Sequence, residues 1–567
     1  MNPKAERNQR IQMAVFLCLW FTLNLLQSFF TELAHDEAYY WMYSRFPAWG
    51  YFDHPPMVAM LIRAGYFLIE NELGVRLLFC LLGTFTLLLT YRISDGTPWL
   101  FMLIASAMVL VHTHVAGFLA IPDVPLVFFT ALFFFLYRRY LEKDTLWLAT
   151  GLAIAIAGMF YSKYHGLLVV IFVFLSNLSL VKRKSAWLIV GMVALAMVPH
   201  LLWQIRQGFP TLQYHLVSRS DGFVPGNIMN YLYSQVLVAG PLVAPLVLYF
   251  SLSRKPSGLF DRSLKFTLAG FLVFFFVSSF RDHIEAHWTA AAFVPMIVLA
   301  HTALSRHKKA AKWLTGLALP SVLLILLLRT IVAFDRIPET LKRLDEFNGW
   351  RQWAGRIKET ADGRKVAFLN KYQFAAKYTF YTGDFSCTVN DVFARKNQYT
   401  LWEFEDSLTG QPVMLYGSPE PDGTLPSPMN QAFGYSFIEN YQPLNRLSIK
   451  TILPQQVIGA EDTITVHCTI HNPTTYSFSF TRNGKARPRL SYVICDEKGA
   501  FYRPHTATGE NEYHEITGKG SIELTYRLSA PVKPGRYGLY TVYWLPVAGN
   551  MGNAVPAAFS VTSEKFN

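Results

Sequence analysis

Residues 11–41 read IQMAVFLCLWFTLNLLQSFF followed by TELAHDEAYYW. The first run has no charge over 20 residues, about the length a helix needs to cross a bilayer. Polarity then returns at once, as Glu32, His35, Asp36 and Glu37, followed by Tyr39, Tyr40 and Trp41. Ionised groups are costly beside hydrocarbon, so Asp36 and Glu37 are expected to face protein or a watery cavity. The aromatics from Tyr39 to Trp49 suit a short helix lying in the membrane interface. The length of the run, with no small-residue cleavage site after it, reads as a membrane span and not as a removed signal.

The rest of the chain follows the same division. The 567 residues are 52% hydrophobic and only 16% charged, where a soluble protein carries about a quarter charged. Apolar runs dominate from Ile11 to Arg329, and ordinary soluble composition begins at Phe334. Candidate spans are 11–30, 74–92, 98–117, 122–140, 146–161, 165–181, 186–205, 231–252, 264–280, 287–304 and 312–330, about eleven helices by length. Alternate loops hold the basic clusters, among them Arg138/Arg139/Lys143, Lys182/Arg183/Lys184 and Arg306/Lys308/Lys309. The positive-inside rule then puts the N-terminus in the cytoplasm, and an odd helix count puts the C-terminal region outside, in a bacterial periplasm. The net charge of +13 lies largely in those loops, so it is a topology signal and no nucleic-acid partner is expected.

Three regions are expected: a membrane domain over 1–333, a small α/β unit over 334–440 and a β-sandwich over 441–567. Residues 347–361 read as an amphipathic helix, 364–370 and 411–416 as strands, and 372–381 as a helix. From Leu447 short alternating runs (SIKTIL, ITVHCTIH, RLSYVICD, SIELTYRL, YGLYTVYWL, AAFSVT) predict an immunoglobulin-like sandwich, with turns such as Asn483-Gly484, Lys498-Gly499 and Pro534-Gly535. Cys468 and Cys495 could pair there, though spacing alone does not fix connectivity.

Chemistry concentrates in the outer loops. Paired carboxylates such as Asp36 and Glu37 can take a proton from an attacking hydroxyl or hold a cation. His54, fixed between Asp53 and Pro55-Pro56, can turn its imidazole toward a phosphate. Lys163 faces outward against the charge rule, either to pair with a lipid phosphate or to snorkel. Asp123 before Pro125 is a helix start. Arg206, Arg219 and Arg281 are outer cations able to grip phosphate or headgroups. His283, Glu285 and His287 alternate, so an extended chain would put them on one face, but beside Trp288 they read as interfacial residues and no metal site is assigned. His112 and His114 carry no role beyond lining a cavity. No Walker loop or dinucleotide fingerprint is evident.

Asp36-Glu37 directly after the first span, then Phe52-Asp53-His54-Pro55-Pro56, resembles the first-loop signature of the protein O-mannosyltransferase superfamily (glycosyltransferase family 39). Its bacterial relatives include aminoarabinose transferases that modify lipid A. Ile121-Pro122-Asp123-Val124-Pro125-Leu126, Ser162-Lys163-Tyr164-His165-Gly166 and His287-Trp288 extend the similarity over the membrane half. The resemblance implies a GT-C fold, a polyprenyl-phosphate-linked sugar donor, and transfer to a glycan, lipid or protein hydroxyl, with no cofactor beyond room for a divalent cation. By that analogy Asp36 is the general base, supported by Glu37. The donor phosphate would meet His54, Lys163, Arg206 and Arg281, in a cavity lined by His35, Tyr39, Tyr40, Asp53, Asp123, His165, His287 and Trp288. Tyr39 and His54 depart from the aminoarabinose relatives, which carry arginine and lysine there, so sugar identity does not carry over. The competing reading is a transporter or flippase of lipid-linked glycans, for which inverted repeats and midplane polar residues would be expected.

Overall fold

The opening run folds as α1 (Pro3–Phe30) and the polar stretch after it as α2 (His35–Arg45), the short helix expected there. The structure is a computed structural model that describes residues 3–213, 223–480, 487–496, 501–506 and 515–563; Arg219, Asn483-Gly484 and Lys498-Gly499 lie outside these. α3 (Met57–Leu68), between the first two expected spans, packs against both α2 and α4 (Glu72–Ile93). Asn71 starts α4 by accepting from the Leu73 and Gly74 amides at 2.9 and 3.2 Å, which satisfies two otherwise orphaned donors.

The remaining helices of this half are α5 (Pro98–Ala107), α6 (Asp123–Glu142), α7 (Leu146–Ser162), α8 (Gly166–Ser176), α9 (Lys184–Arg206) and the single turn α10 (Pro210–Gln213). They continue as α11 (Pro225–Val238), α12 (Ala244–Ser253), α13 (Leu259–Ser278), α14 (Phe293–Leu304) and α15 (Lys308–Ala333). Among the described residues, six helices are long and apolar enough to cross a membrane, and five more are apolar but shorter. Every residue of α14 is buried, so this helix is the centre of the bundle, whereas α9 and α15 are largely exposed. Trp99, Trp147, Trp187 and Trp313 are exposed in the first two turns of α5, α7, α9 and α15, where an interfacial belt of aromatics belongs.

Four expected spans are interrupted. The 231–252 run splits into α11 and α12 at Gly240 (φ +92°), where a Cβ would lie 2.4 Å from the Ala107 carbonyl oxygen, and Pro241 follows. The 98–117 run stops at Ala107 and continues as a 3₁₀ turn over Val109–His112 and an irregular segment. That segment lies so close to α4 that a Cβ on Gly83 would be 2.8 Å from the Ala116 backbone. The 165–181 run ends its α-helix at Ser176, and the 287–304 run begins as a 3₁₀ turn over Ala286–Ala292.

The chain divides into two compact units between Asn348 and Gly349, fifteen residues beyond the expected boundary at 333. The reason is hydrogen bonding: the Phe347 carbonyl accepts from the Glu32 amide at 2.9 Å and Asn348 donates to the Val332 carbonyl at 3.2 Å. In the second unit α16 (Trp350–Ala361) and α17 (Tyr372–Thr382) pack beside a five-stranded sheet of order β2-β1-β3-β5-β4. Its strands are β1 (Lys365–Leu369), β2 (Cys387–Val389), β3 (Val413–Tyr416), β4 (Gly423–Pro426) and β5 (Ala432–Ile438), the first three parallel.

Two further sheets follow. One runs β11-β10-β14-β17-β7, with β15 on β14, and the other β13-β8-β6-β16. The ranges are β6 (Ser448–Ile452), β7 (Val457–Gly459), β8 (Thr463–His471), β9 (Phe478–Ser479), β10 (Arg489–Asp496) and β11 (Phe501–Thr506). They continue with β12 (Glu515–Ile516, paired to β9), β13 (Ser521–Ser529), β14 (Gly535–Leu545), β15 (Gly549–Met551), β16 (Asn553–Val555) and β17 (Ala557–Thr562). Inward residues alternate along β8 and β13, as one covered face requires. The facing sheets meet where Thr541 bonds Thr451 and Tyr526, both at 2.8 Å. Cys468 and Cys495 are free thiols on different sheets.

In this unit Glu405 accepts from the Tyr441 hydroxyl at 2.7 Å and the Asn445 amide at 3.1 Å. Burial pushes its carboxyl up to about 7 despite those bonds. A carboxyl raised on folding gives stability that is complete below its unfolded value near 4.5 and is lost as pH rises through 7. The melting temperature of the full-length protein is therefore expected to fall between pH 5 and 8, and Glu405→Gln to flatten that fall; equal slopes for the two proteins would contradict it.

Candidate active site

The two adjacent acids after α1 end in opposite environments. Asp36 is exposed in the first turn of α2, whereas Glu37, one residue and about 100° further round the helix, is completely buried. Glu37 meets a fully buried arginine from α4: Arg76 Nε donates to Oε1 at 2.8 Å and Nη2 to Oε2 at 2.5 Å. The other oxygen contacts are backbone, with the Ala34 amide on Oε2 at 2.9 Å and the Ala120 amide on Oε1 at 2.8 Å. Arg76 in turn donates to the Thr31 carbonyl and hydroxyl at 2.8 and 2.9 Å, to the Glu32 carbonyl at 2.8 Å and to the Ser28 carbonyl at 3.2 Å. The pair ties α1, α2, α4 and the segment before α6 into one knot. Glu37 thus holds the end of α2 in place, and the expected pair of acids acting together is replaced by one exposed acid on an anchored turn.

Three residues beyond Ala120, Asp123 begins α6 and is buried. Lys163, just past α7, reaches it with Nζ at 2.9 and 3.0 Å from the two carboxylate oxygens. Lys163 is therefore not snorkelling: it is buried and its charge is matched by Asp123. His287 Nε2 lies 4.0 Å from Asp123 Oδ2, and its ring stacks on His114 at 4.6 Å and 21°. Beside it, His165 lies 5.3 Å from the Trp288 ring. An open cavity of about 280 Å³ there is lined by Tyr164, His165, Phe275, Asp282 and Trp288.

In the loop before α3, Asp53 accepts from the hydroxyls of Tyr39 and Tyr43, both at 3.0 Å, and His54 is half-buried with its ring 5.4 Å from Tyr40. His35 is buried, and its amide donates to Glu346 at 3.0 Å. Arg206 and Arg281 are exposed, at the last turn of α9 and after α13, outside the buried network. Among the described residues no group of three or more His, Cys, Asp or Glu side chains is arranged to hold a metal ion. The sequence reading missed Arg76 and the Ala120 amide, and gave His114 no role beyond lining a cavity. An arginine inside an apolar run was the available signal for Arg76.

Residues 53–203 match the model of a family described as dolichyl-phosphate-mannose-protein mannosyltransferase. No curated protein sequence matches the chain. Among solved structures the fold is similar to ArnT from Cupriavidus metallidurans in the apo state, with TM-score 0.55 and 14% identity over 76% of this chain and 98% of that one. It is likewise similar to the same protein bound to undecaprenyl phosphate, with TM-score 0.52 and 13% identity over 75% and 97%. These likenesses establish the GT-C fold of a multi-pass membrane protein whose C-terminal region is mainly β-structure.

Removing one partner from a buried ion pair strands the other charge, at a cost of about 3–5 kcal/mol. Glu37→Gln and Arg76→Met are therefore each expected to destabilise the detergent-solubilised protein by that order, whereas exposed Asp36→Asn changes stability by less than about 0.5 kcal/mol. Thermal and chemical denaturation of the three variants measure the difference, and equal stability of all three would contradict the anchor.

Proposed function

We propose that this GT-C membrane protein is a glycosyltransferase that moves a sugar from a polyprenyl-phosphate donor to an acceptor hydroxyl at the periplasmic face of a bacterial inner membrane. The observation that carries the reading is an exposed carboxylate, Asp36, on a helix turn that a fully buried Arg76–Glu37 pair fixes in place. A general base has to be accessible to the hydroxyl it serves and held in one orientation, and Asp36 combines the two. The match of residues 53–203 to a mannosyltransferase family model supports the reaction class, and an ArnT-like fold solved with undecaprenyl phosphate supports the donor class.

In the proposed reaction the acceptor oxygen attacks the anomeric carbon while Asp36 takes its proton. The bond from that carbon to the phosphate oxygen breaks, and polyprenyl phosphate leaves as an anion. Because the leaving group is already a stable anion, nearby cations matter more than a proton donor. With Lys163 paired to Asp123, the half-buried His54 and the exposed Arg206 and Arg281 are the groups proposed to meet the phosphate. No cofactor takes part in this scheme. The acceptor is a glycan, lipid or protein of the cell envelope.

Asp36→Asn is expected to lower transfer by about 10²–10⁴-fold at unchanged protein content. Mass spectrometry of envelope glycolipids and glycoproteins from deletion, wild-type and D36N strains measures this. Full transfer by a properly inserted D36N protein would refute the base assignment, and lipid-linked sugar moved across proteoliposomes without covalent transfer would refute the reaction itself.

A further inference from the structure

Arg329 lies four residues from the end of α15, only 8% exposed, within the last apolar helix of the first unit. Its guanidinium meets neutral acceptors: Asn24 Oδ1 at 3.0 Å, Gln27 Oε1 at 3.3 Å, His112 Nδ1 at 3.3 Å and the Leu23 carbonyl at 3.5 Å. Among the described residues no carboxylate is paired with it. A buried cation without a counter-charge is expensive, and a leucine or methionine would serve the packing of α15 more cheaply. Stability alone therefore does not account for an arginine here.

What the guanidinium does can be followed outward. Asn24 uses its oxygen to accept from Arg329, which turns its amide nitrogen the other way, 3.0 Å from the Ala116 carbonyl. An amide has one acceptor and one donor end, so fixing the first fixes the second. Trp20 donates to the same carbonyl at 2.8 Å. Two residues on, the Phe118 ring lies 5.4 Å from the Arg329 guanidinium and 5.3 Å from that of Arg76, both within cation–π reach. Two residues further, the Ala120 amide donates to Glu37. The segment from Ala116 to Ala120 has no helix or strand of its own to hold it. Besides the Ala116 amide's bond to the Val111 carbonyl at 3.0 Å and the Phe118–Phe347 ring contact, its geometry comes from these contacts.

We propose that Arg329 is a positioning residue: through Asn24 and Phe118 it sets the 116–120 segment, and so the Ala120 amide and the Glu37 anchor that orient Asp36. The kinetic part of this inference rests on the glycosyltransferase reading; the structural relay does not. Arg329→Gln in the full-length protein, reconstituted in nanodiscs, tests both. Hydrogen–deuterium exchange is expected to rise at the Ala120 and Ala34 amides. With a panel of undecaprenyl-phosphate sugars as donors, kcat is expected to fall by about ten-fold or more with little change in donor KM. Arg329→Lys should recover only part of the loss, because an ammonium cannot span Asn24, Gln27 and the ring together. Asn24→Leu, which breaks the relay without deleting a charge, should raise the same two amides, and serves should R329Q not fold. Unchanged exchange at Ala120 and Ala34 in a folded R329Q protein overturns the relay. Wild-type kinetics in a variant whose two amides have loosened overturns its link to Asp36. If the wild-type protein itself transfers nothing from any donor of the panel, the glycosyltransferase reading fails and the exchange measurement alone decides the relay.

Discussion

Taking an arginine and a glutamate out of water costs several kcal/mol for each ion, and their attraction repays it only when geometry is good and every remaining donor is used. Arg76 and Glu37 meet both conditions: two parallel bonds join them, the Ala34 and Ala120 amides fill the remaining oxygen sites, and Ser28 in α1 and Thr31 just after it take three more of the arginine's bonds. A pair that demanding is satisfied by one arrangement of the surrounding chain. Slipping α2 by a residue would bring Asp36 or Ala38 to the guanidinium in place of Glu37 and break both parallel bonds. The end of the bundle that carries the chemistry-bearing side chains of α2 and α6 is therefore set by polar geometry, while apolar packing fills in around it.

The same device appears a second time, with Asp123 and Lys163 joining the start of α6 to the end of α7. Together the two pairs engage Glu37, Asp123 and Lys163, which the sequence offered as chemistry, and Arg76, which it did not. What remains accessible is sparser: Asp36 on its anchored turn, His54 against Tyr40, the exposed Arg206 and Arg281, and the cavity beside His165 and Trp288. Asp53, fixed by two tyrosine hydroxyls, acts on the arrangement of α2 in the same indirect way.

Six of the eleven expected spans match helices long and apolar enough to cross, because hydrocarbon thickness imposes a run length, and the sandwich strands were legible because one covered face imposes alternation. Interruptions were not read as such: Gly240-Pro241 carries a signal inside the single 231–252 span, whereas the stop at Ala107 follows a run broken only by Ser106, with no glycine or proline next to it. The site was half legible. Asp36 and Glu37 look alike in sequence, and which one turns inward depends on Arg76, 39 residues away. Lys163 looked free because its partner sits 40 residues earlier in the chain. A pattern at helical spacing reveals a face but not what lies against it.

α1 shows why these interior contacts matter more in this chain than they would in a soluble bundle. Leu19, Leu26, Phe29 and Phe30 are exposed, while Trp20, Asn24, Gln27, Ser28 and Thr31 are buried on the opposite face at spacings of three and four. The helix is inverted relative to a soluble one, with its polar stripe inward. Lipid is as apolar as leucine, so burying leucine against a neighbour gains little, and the depth and rotation of such a helix are fixed by packing and by polar contacts. On α1 those contacts are Ala116, Arg329 and Arg76, reached from Trp20 and Asn24, from Asn24 and Gln27, and from Ser28 and Thr31 in turn. The first span thus decides more than topology: its stripe sets the register in which the two arginines, the 116–120 segment and the first turn of α2 come together.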